Sequence, residues 1–277
     1  MEIPKRPLGQ AGVQVTILGL GGEGVLRTFG HEKEAHELIN SAIDLGINYF
    51  ESAPAYSGSE SYYGGALRDR RGDIFLASKS HARDKKGALT HLAQTLKAMK
   101  TEYLDLWQIH DVRTEEDLAE IFGPNGALEA FVQAKKSGHT RFIGVTGHHD
   151  PKILRRCLQK FQFDTVLLPV NPAEPQYESF LTEVIPVAVA KRIGILGMKV
   201  YLRGLAQRIP WYTNMECFFR FALTQPITAA IIGCDNLIQL SDNVEIARTF
   251  MAMSDKEAAE LIDAIAPFAR QLMYYKP

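Results

Sequence analysis

The chain has 277 residues, 46% of them hydrophobic and 23% charged, with a formal net charge of -1, a balance ordinary for a globular protein and one that offers no basic surface for nucleic acid. Its three cysteines, Cys157, Cys217 and Cys234, form no C-x-x-C pair, which argues against a disulfide framework or a zinc knuckle. The opening MEIPKRPLGQAGVQV lacks the apolar stretch of a secretory signal, and no apolar run reaches the roughly 18 residues that cross a membrane, so a soluble cytoplasmic protein with reduced thiols is expected.

Along the chain, short β-branched or apolar runs alternate with amphipathic segments, the pattern of repeated strand, crossover helix, strand units. Glycine and polar residues split RPLGQAGVQV into two brief extended stretches, which predicts a hairpin that plugs a barrel floor. The first strand is VTILGLGG; the helix HEKEAHELINSAIDLG follows, with Ala35, Leu38, Ile39, Ala42 and Leu45 on one face and Gly46 as its stop. INYFESA is the second strand, and the loop PAYSGS leads to a helix from about Glu60. DIFLASKS then precedes the helix KGALTHLAQTLKAMK. The fourth strand, YLDLWQIHD, is answered by GALEAFVQAKKSG. RFIGVTGHH precedes PKILRRCLQK, which Asp150 caps and Pro151 opens. DTVLLPVN is followed by a helix over residues 179–192, IGILGMKVY by MECFFRFALTQ, and TAAIIGC by LIQLSDNVEIARTFM. The tail from Asp255 to about Met273 reads as one more helix, opened by the cap motif SDKEA.

Strands such as ILGL, TVLLPV and AAIIG are apolar throughout, as a parallel sheet buried on both faces requires. An open doubly wound sheet would want a G-x-G-x-x-G turn after the first strand, and GLGGEG lacks that spacing. Residues 1–277 are therefore expected to form one α/β domain, a (β/α)8 TIM barrel with an N-terminal hairpin and extra C-terminal helices.

Barrel enzymes place their chemistry at the carboxyl ends of strands. Glu51 ends the second strand, with Tyr56 in the loop after it; Lys79 ends the third, and His110 and Asp111 end the fourth. Reducing a carbonyl by hydride transfer needs a proton donor at the oxygen. A tyrosine serves if a nearby ammonium lowers its pKa, a carboxylate can hold that lysine, and a histidine can orient the carbonyl. Loops after the last two strands, with the start of the helix beyond, commonly hold phosphate.

The order and spacing of these residues resemble the aldo-keto reductase superfamily from LGLGG to DNVEIA. FESAPAYSG resembles the family's second-strand motif, so Tyr56 stands as general acid and Glu51 stands where Asp is usual. LDLWQIHD nominates His110, and ASKS nominates Lys79 as the partner of the tyrosine. Because Glu51 is one methylene longer than Asp, its carboxylate has to fold back, or the backbone to shift, for the lysine contact to survive.

The resemblance implies a nicotinamide cofactor, NADP(H) by family habit with NAD(H) as the alternative, and a small carbonyl substrate reduced to an alcohol. Thr146 resembles the first of the pair that grips the carboxamide; Gly147 replaces the second, with His148 as its substitute. Met198 would pack under the nicotinamide, and Lys199 and Arg203 would contact the pyrophosphate. In IIGCDNLIQLSDN, the residues Gly233, Cys234, Asp235 and Asn236 would offer amides to a phosphate, while Gln239, Asp242 and Asn243 would face the adenosine. No arginine stands near Gln239 for a 2′-phosphate, and Arg248 or a nearby lysine is the candidate to compensate. Trp211, Tyr212, Phe29 and Tyr177 are candidates to line the substrate pocket.

Two other readings compete. A metal-dependent barrel hydrolase could draw ligands from His81, His110, Asp111, His148, His149 and Asp150, although the first strand lacks the histidine pair such sites begin with. A non-catalytic nicotinamide-binding regulatory module would tolerate Glu51.

Overall fold

A computed structural model of the chain describes residues 1–210, 212 and 216–277. A hairpin of β1 (Lys5–Pro7) and β2 (Gln14–Thr16) precedes eight strands: β3 (Leu18–Gly24), β4 (Tyr49–Glu51), β5 (Phe75–Ser80), β6 (Leu104–Ile109), β7 (Thr140–Thr146), β8 (Thr165–Pro169), β9 (Gly194–Met198) and β10 (Ala229–Cys234). Among the described residues these eight pair in parallel, in chain order, and β10 closes on β3. Closure removes every free sheet edge.

Helices follow the strands: α1 (Glu32–Asp44), α2 (Ser59–Ala66), α3 (Lys85–Met99), α4 (Glu115–Phe122), α5 (Ala127–Lys136), α6 (Pro151–Lys160), α7 (Phe180–Glu183), α8 (Ile185–Ala190), α9 (Glu216–Thr224) and α10 (Leu237–Arg248), with α11 (Asp255–Ile265) and α12 (Ala269–Leu272) beyond. Asp150 accepts from the Lys152 amide at the start of α6, with Pro151 in the first turn, as its sequence predicts. Gly46 takes the left-handed φ of +97° just past α1, which a residue with a Cβ adopts at a cost.

Three differences from the sequence reading have local causes. The helix expected over 179–192 breaks at Val184 into α7 and α8, because Pro186 lacks the amide an unbroken helix needs. The tail helix breaks likewise around Pro267. The stretch between the strand YLDLWQIHD and the helix GALEAFVQAKKSG, for which no element is expected, contains α4, only eight residues long but fixed by a reciprocal capping box between Thr114 and Asp117. Met215, expected to open the helix after the seventh strand, lies outside the described residues.

Inside the barrel, Tyr49, Phe75, Ala77, Leu106, Leu167, Leu196 and Ala229 pack in layers, and Leu8 and Val15 of the hairpin region join them as the expected floor plug. The rings of Tyr49, Phe75 and Phe142 stack in sequence, with centroids 5.5 and 6.0 Å apart. This apolar filling gathers the charged side chains of the barrel toward its carboxyl-end rim. Outside, strand faces pack against the helices, as where Trp107 stacks on Phe131 of α5 with centroids 3.7 Å apart.

Candidate active site

A cavity of about 840 Å³ opens at that rim, lined among others by Gly22, Glu23, Arg27, Glu51, Tyr56, Lys79, His110, Thr146, His148, Met198, Lys199 and Arg203. The ends of β4, β5 and β6 supply its polar floor. Register explains why: Glu51 lies opposite Ala77 and Lys79 opposite Gln108, so side chains of the three strands rise into one layer.

Lys79 is fully buried and donates to Glu51 Oε1 at 2.7 Å and to the Ser52 carbonyl at 3.0 Å. The longer side chain of Glu51 has therefore kept the lysine contact. Burial opposes the Lys79 charge, but the adjoining carboxylate outweighs it and the pKa rises above the ordinary lysine value. Tyr56 is presented by the loop after β4, its amide donating to the Ala53 carbonyl at 2.9 Å. Gly22 makes room for it, since a Cβ there would stand 2.7 Å from the phenol ring. The Lys79 ammonium lies 4.8 Å from the ring centroid, and the Arg27 guanidinium lies 5.1 Å from it on its own approach.

The phenol corrects one expectation. Burial raises its pKa, and although Lys79 pulls it back down, Glu51 and Glu23 add to the rise, so the net direction is upward. Tyr56 therefore carries its proton throughout the neutral range, the state a proton donor requires.

His110 meets Tyr56 edge to face, with centroids 5.9 Å apart. Burial, and then the charge of Lys79, hold its pKa well below the usual histidine value, so the ring is neutral at neutral pH. Its backbone is fixed by Arg83, whose guanidinium donates to the carbonyls of His110 and Asp111 at 2.8 and 2.7 Å while pairing with Asp117 of α4 at 2.7 Å. Asp111 has a left-handed φ of +54°, and its amide donates to Thr146 Oγ1 at 2.7 Å. Its carboxylate lies 3.2 Å from His148 Nε2 and pairs with Arg113; burial opposes the charge, but these partners hold the pKa well below the usual carboxylate range.

The residues expected to hold a cofactor divide into two groups. Thr146, His148, Met198, Lys199, Arg203, Gly233, Asp235 and Gln239 line the cavity. Cys234, Asn236, Asp242 and Asn243 do not. Asn236 caps α10 by accepting from the Gln239 amide at 3.0 Å, and Asn243 is buried, accepting from the Tyr201 hydroxyl at 2.7 Å. The Asp235 amide is itself taken by Gln239 Oε1 at 2.8 Å. Arg248 donates to the Leu45 carbonyl, so it does not supply the compensating cation. Phe29, Tyr177 and Tyr212 are likewise not among the lining side chains; Phe29 is exposed, Arg270 covers Tyr177, and Tyr212 packs on Phe218. Trp211 lies outside the described residues.

Several lining residues carried no functional reading in the sequence. Glu23 pairs with Arg27 at 2.7 Å and with Arg203 at 3.5 Å, across the end of β10. Tyr274, Tyr275 and Lys276 also reach the cavity, although nothing in the helical pattern of the tail signals it. Lys276 is buried against Glu174 at 2.8 Å and donates to the carbonyls of Tyr177 and Glu178; Tyr275 donates to the same carboxylate at 2.7 Å. Tyr49 and Gln108 sit beneath Glu51. A period of two, counted back from Glu51 and from His110, was the signal that could have found both.

The ligands a metal hydrolase would need are not assembled: among the described residues no group of three or more His, Cys, Asp or Glu side chains is placed to hold a metal ion. No helix among them is long and apolar enough to cross a membrane.

Residues 17–210 match the model of the aldo/keto reductase family. The uncharacterized oxidoreductase YqkF of Bacillus subtilis is 26% identical, over 88% of this chain and 90% of its own length. L-galactose dehydrogenase of Arabidopsis thaliana is 31% identical over 74% of this chain and 67% of its own. Among solved structures, the holo form of aldo-keto reductase AKR11C1 from Bacillus halodurans superposes with a TM-score of 0.79 at 20% identity, covering 95% of this chain and 96% of that one, which speaks to the fold.

Proposed function

The chain belongs to the aldo/keto reductase family and is an oxidoreductase, and from that premise we propose that it reduces an aldehyde or ketone to an alcohol with Tyr56 as proton donor. The observation that carries the reading is the convergence of Tyr56, Lys79, Glu51 and His110 on one cavity at the carboxyl-end rim.

The cavity suits a nicotinamide cofactor on its own chemistry. Lys199 is a buried cation: burial pushes its pKa down to about 8 although Glu23 and Asp111 pull it upward, and a phosphate beside it would strengthen the charged form. Lys199 and Arg203 would hold the pyrophosphate, Thr146 and His148 the carboxamide, and Met198 the nicotinamide face. The cofactor supplies the hydride. Glu51 keeps Lys79 charged, and Lys79 draws the developing phenolate toward itself. Tyr56 gives its proton to the carbonyl oxygen, and neutral His110 donates a hydrogen bond to that oxygen without competing as an acid. The filled barrel beneath closes this layer from below.

NADP(H) is the cofactor that family habit favours. A specific observation supports a second reading, NAD(H): at the start of α10 the lining side chains are Asp235 and Gln239, which suit ribose hydroxyls better than a further phosphate. Fluorescence titration with NADH and NADPH separates the two. Turnover of an aldehyde panel, followed at the nicotinamide absorbance, tests the reaction itself. Tight cofactor binding with no turnover on any carbonyl would favour the regulatory-module reading instead.

A further inference from the structure

The carboxylate of Glu51 has a second oxygen, which plays no part in holding Lys79. Oε2 accepts from Gln108 Nε2 at 2.9 Å and from the Tyr49 hydroxyl at 3.1 Å. Both donors are wholly buried and belong to the barrel interior, Tyr49 on β4 and Gln108 on β6. Neither is free to follow the carboxylate if it moves. The Tyr49 ring is clamped against Phe75, and the Gln108 stem lies where β7 has a glycine: a Cβ on Gly144 would stand 2.9 Å from Gln108 Cγ and collide with the Thr165 hydroxyl.

The amide of Gln108 serves this contact at the expense of its other end. Gln108 Oε1 is buried with no hydrogen-bond partner, an arrangement a stable core normally avoids. Turning the amide over would set its oxygen against the Glu51 carboxylate, so the observed orientation is the one electrostatics permits. An apolar side chain would fill the position without an orphaned carbonyl. What the glutamine provides instead is an N–H aimed at one oxygen.

A glutamate has one more rotatable bond than an aspartate, and an acid that swings loses the fixed separation from its lysine on which a tuned proton donor depends. We propose that Tyr49 and Gln108 are positioning residues that pin the second oxygen of Glu51, and so fix Lys79 beside Tyr56. The proposal rests on the oxidoreductase reading for its consequence in catalysis, while the pinning is a property of the apoprotein.

A coupled set of variants tests it. In the wild-type background, Tyr49→Phe and Gln108→Leu each lower kcat by about tenfold, with KM for the carbonyl and the cofactor Kd within twofold of their starting values. Glu51→Asp withdraws the carboxylate from both donors while leaving it within reach of Lys79, so in that background the same two substitutions change kcat by less than twofold. Losses that multiply unchanged in both backgrounds would show a merely structural role and overturn the proposal. Crystals of the Tyr49→Phe/Gln108→Leu protein give a reading independent of turnover: the Glu51 carboxylate rotates and its separation from Lys79 Nζ lengthens. Glu51 and Lys79 superposing on their present positions would also overturn it. Absence of carbonyl reduction by the wild type, by contrast, removes the proposed reaction and leaves the crystallographic test standing.

Discussion

Three residues of the site, Tyr56, His110 and Lys199, make separable predictions. Tyr56→Phe removes the proposed proton donor while keeping the ring, so kcat should fall by about 10²-fold or more with the cofactor Kd unchanged; retained turnover would take Tyr56 out of its proposed role. His110 titrates well below the ordinary histidine range, so its protonation leaves kcat flat between pH 6.5 and 7.5. The unfolded chain takes up that proton first, so the stability this group contributes above pH 6.5 is lost as the pH falls toward the folded value; thermal melts at pH 7 and pH 5, compared with those of His110→Gln, measure the difference. Lys199 works in the opposite pH region. With its pKa near 8 in the free protein, cofactor affinity should weaken by about tenfold between pH 7.5 and 9.5, and Lys199→Met should flatten that profile. The placement of Glu51, Tyr56, Lys79 and His110 around one rim was legible in the sequence because each stands at or just beyond a strand end. Tyr49 and Gln108 were passed over, because an uncharged residue inside an apolar run looks like filling unless the period of two is counted back from the strand end.

At the level of elements, the barrel could be read because eight apolar runs each precede a helical segment. Boundaries set by proline inside a helical pattern could not be placed so well, as the breaks at Pro186 and Pro267 show. The short α4 escaped because eight residues are few for a helical pattern to stand out, although Leu118, Ile121 and Phe122 are spaced as one face; its capping box was the further sign. That helix matters to the site. Its Asp117 holds Arg83, which in turn holds the backbone of His110 and Asp111. Arg83→Met should therefore lower kcat by about tenfold with a smaller effect on cofactor affinity, the two being measured by steady-state rates and fluorescence quenching. Thr114→Ala, which removes only the cap, should cost about 1 kcal/mol in denaturant unfolding; a change within error would show that α4 is held by its packing alone.

Across the whole molecule, the strand layers fix the floor of the cavity, and the tail completes its wall through the buried pair of Lys276 and Glu174. Lys276→Met should destabilise the protein by about 3–5 kcal/mol, because it leaves a buried carboxylate without its partner, and adding Glu174→Gln should recover most of the loss; chemical denaturation of the three proteins checks both. This closure lies beyond sequence reasoning, since Glu174 and Lys276 are distant in the chain and each alone looks like a solvated charge. The tie from Glu23 to Arg203 has a different consequence. It reaches from the β3 lip to the loop after β9, over the strand between them, so a long ligand laid along that side has to part the two charges before it can settle. Association should then be biphasic in stopped-flow records, with a concentration-dependent encounter followed by a slower unimolecular phase, and Glu23→Gln should collapse the two into one.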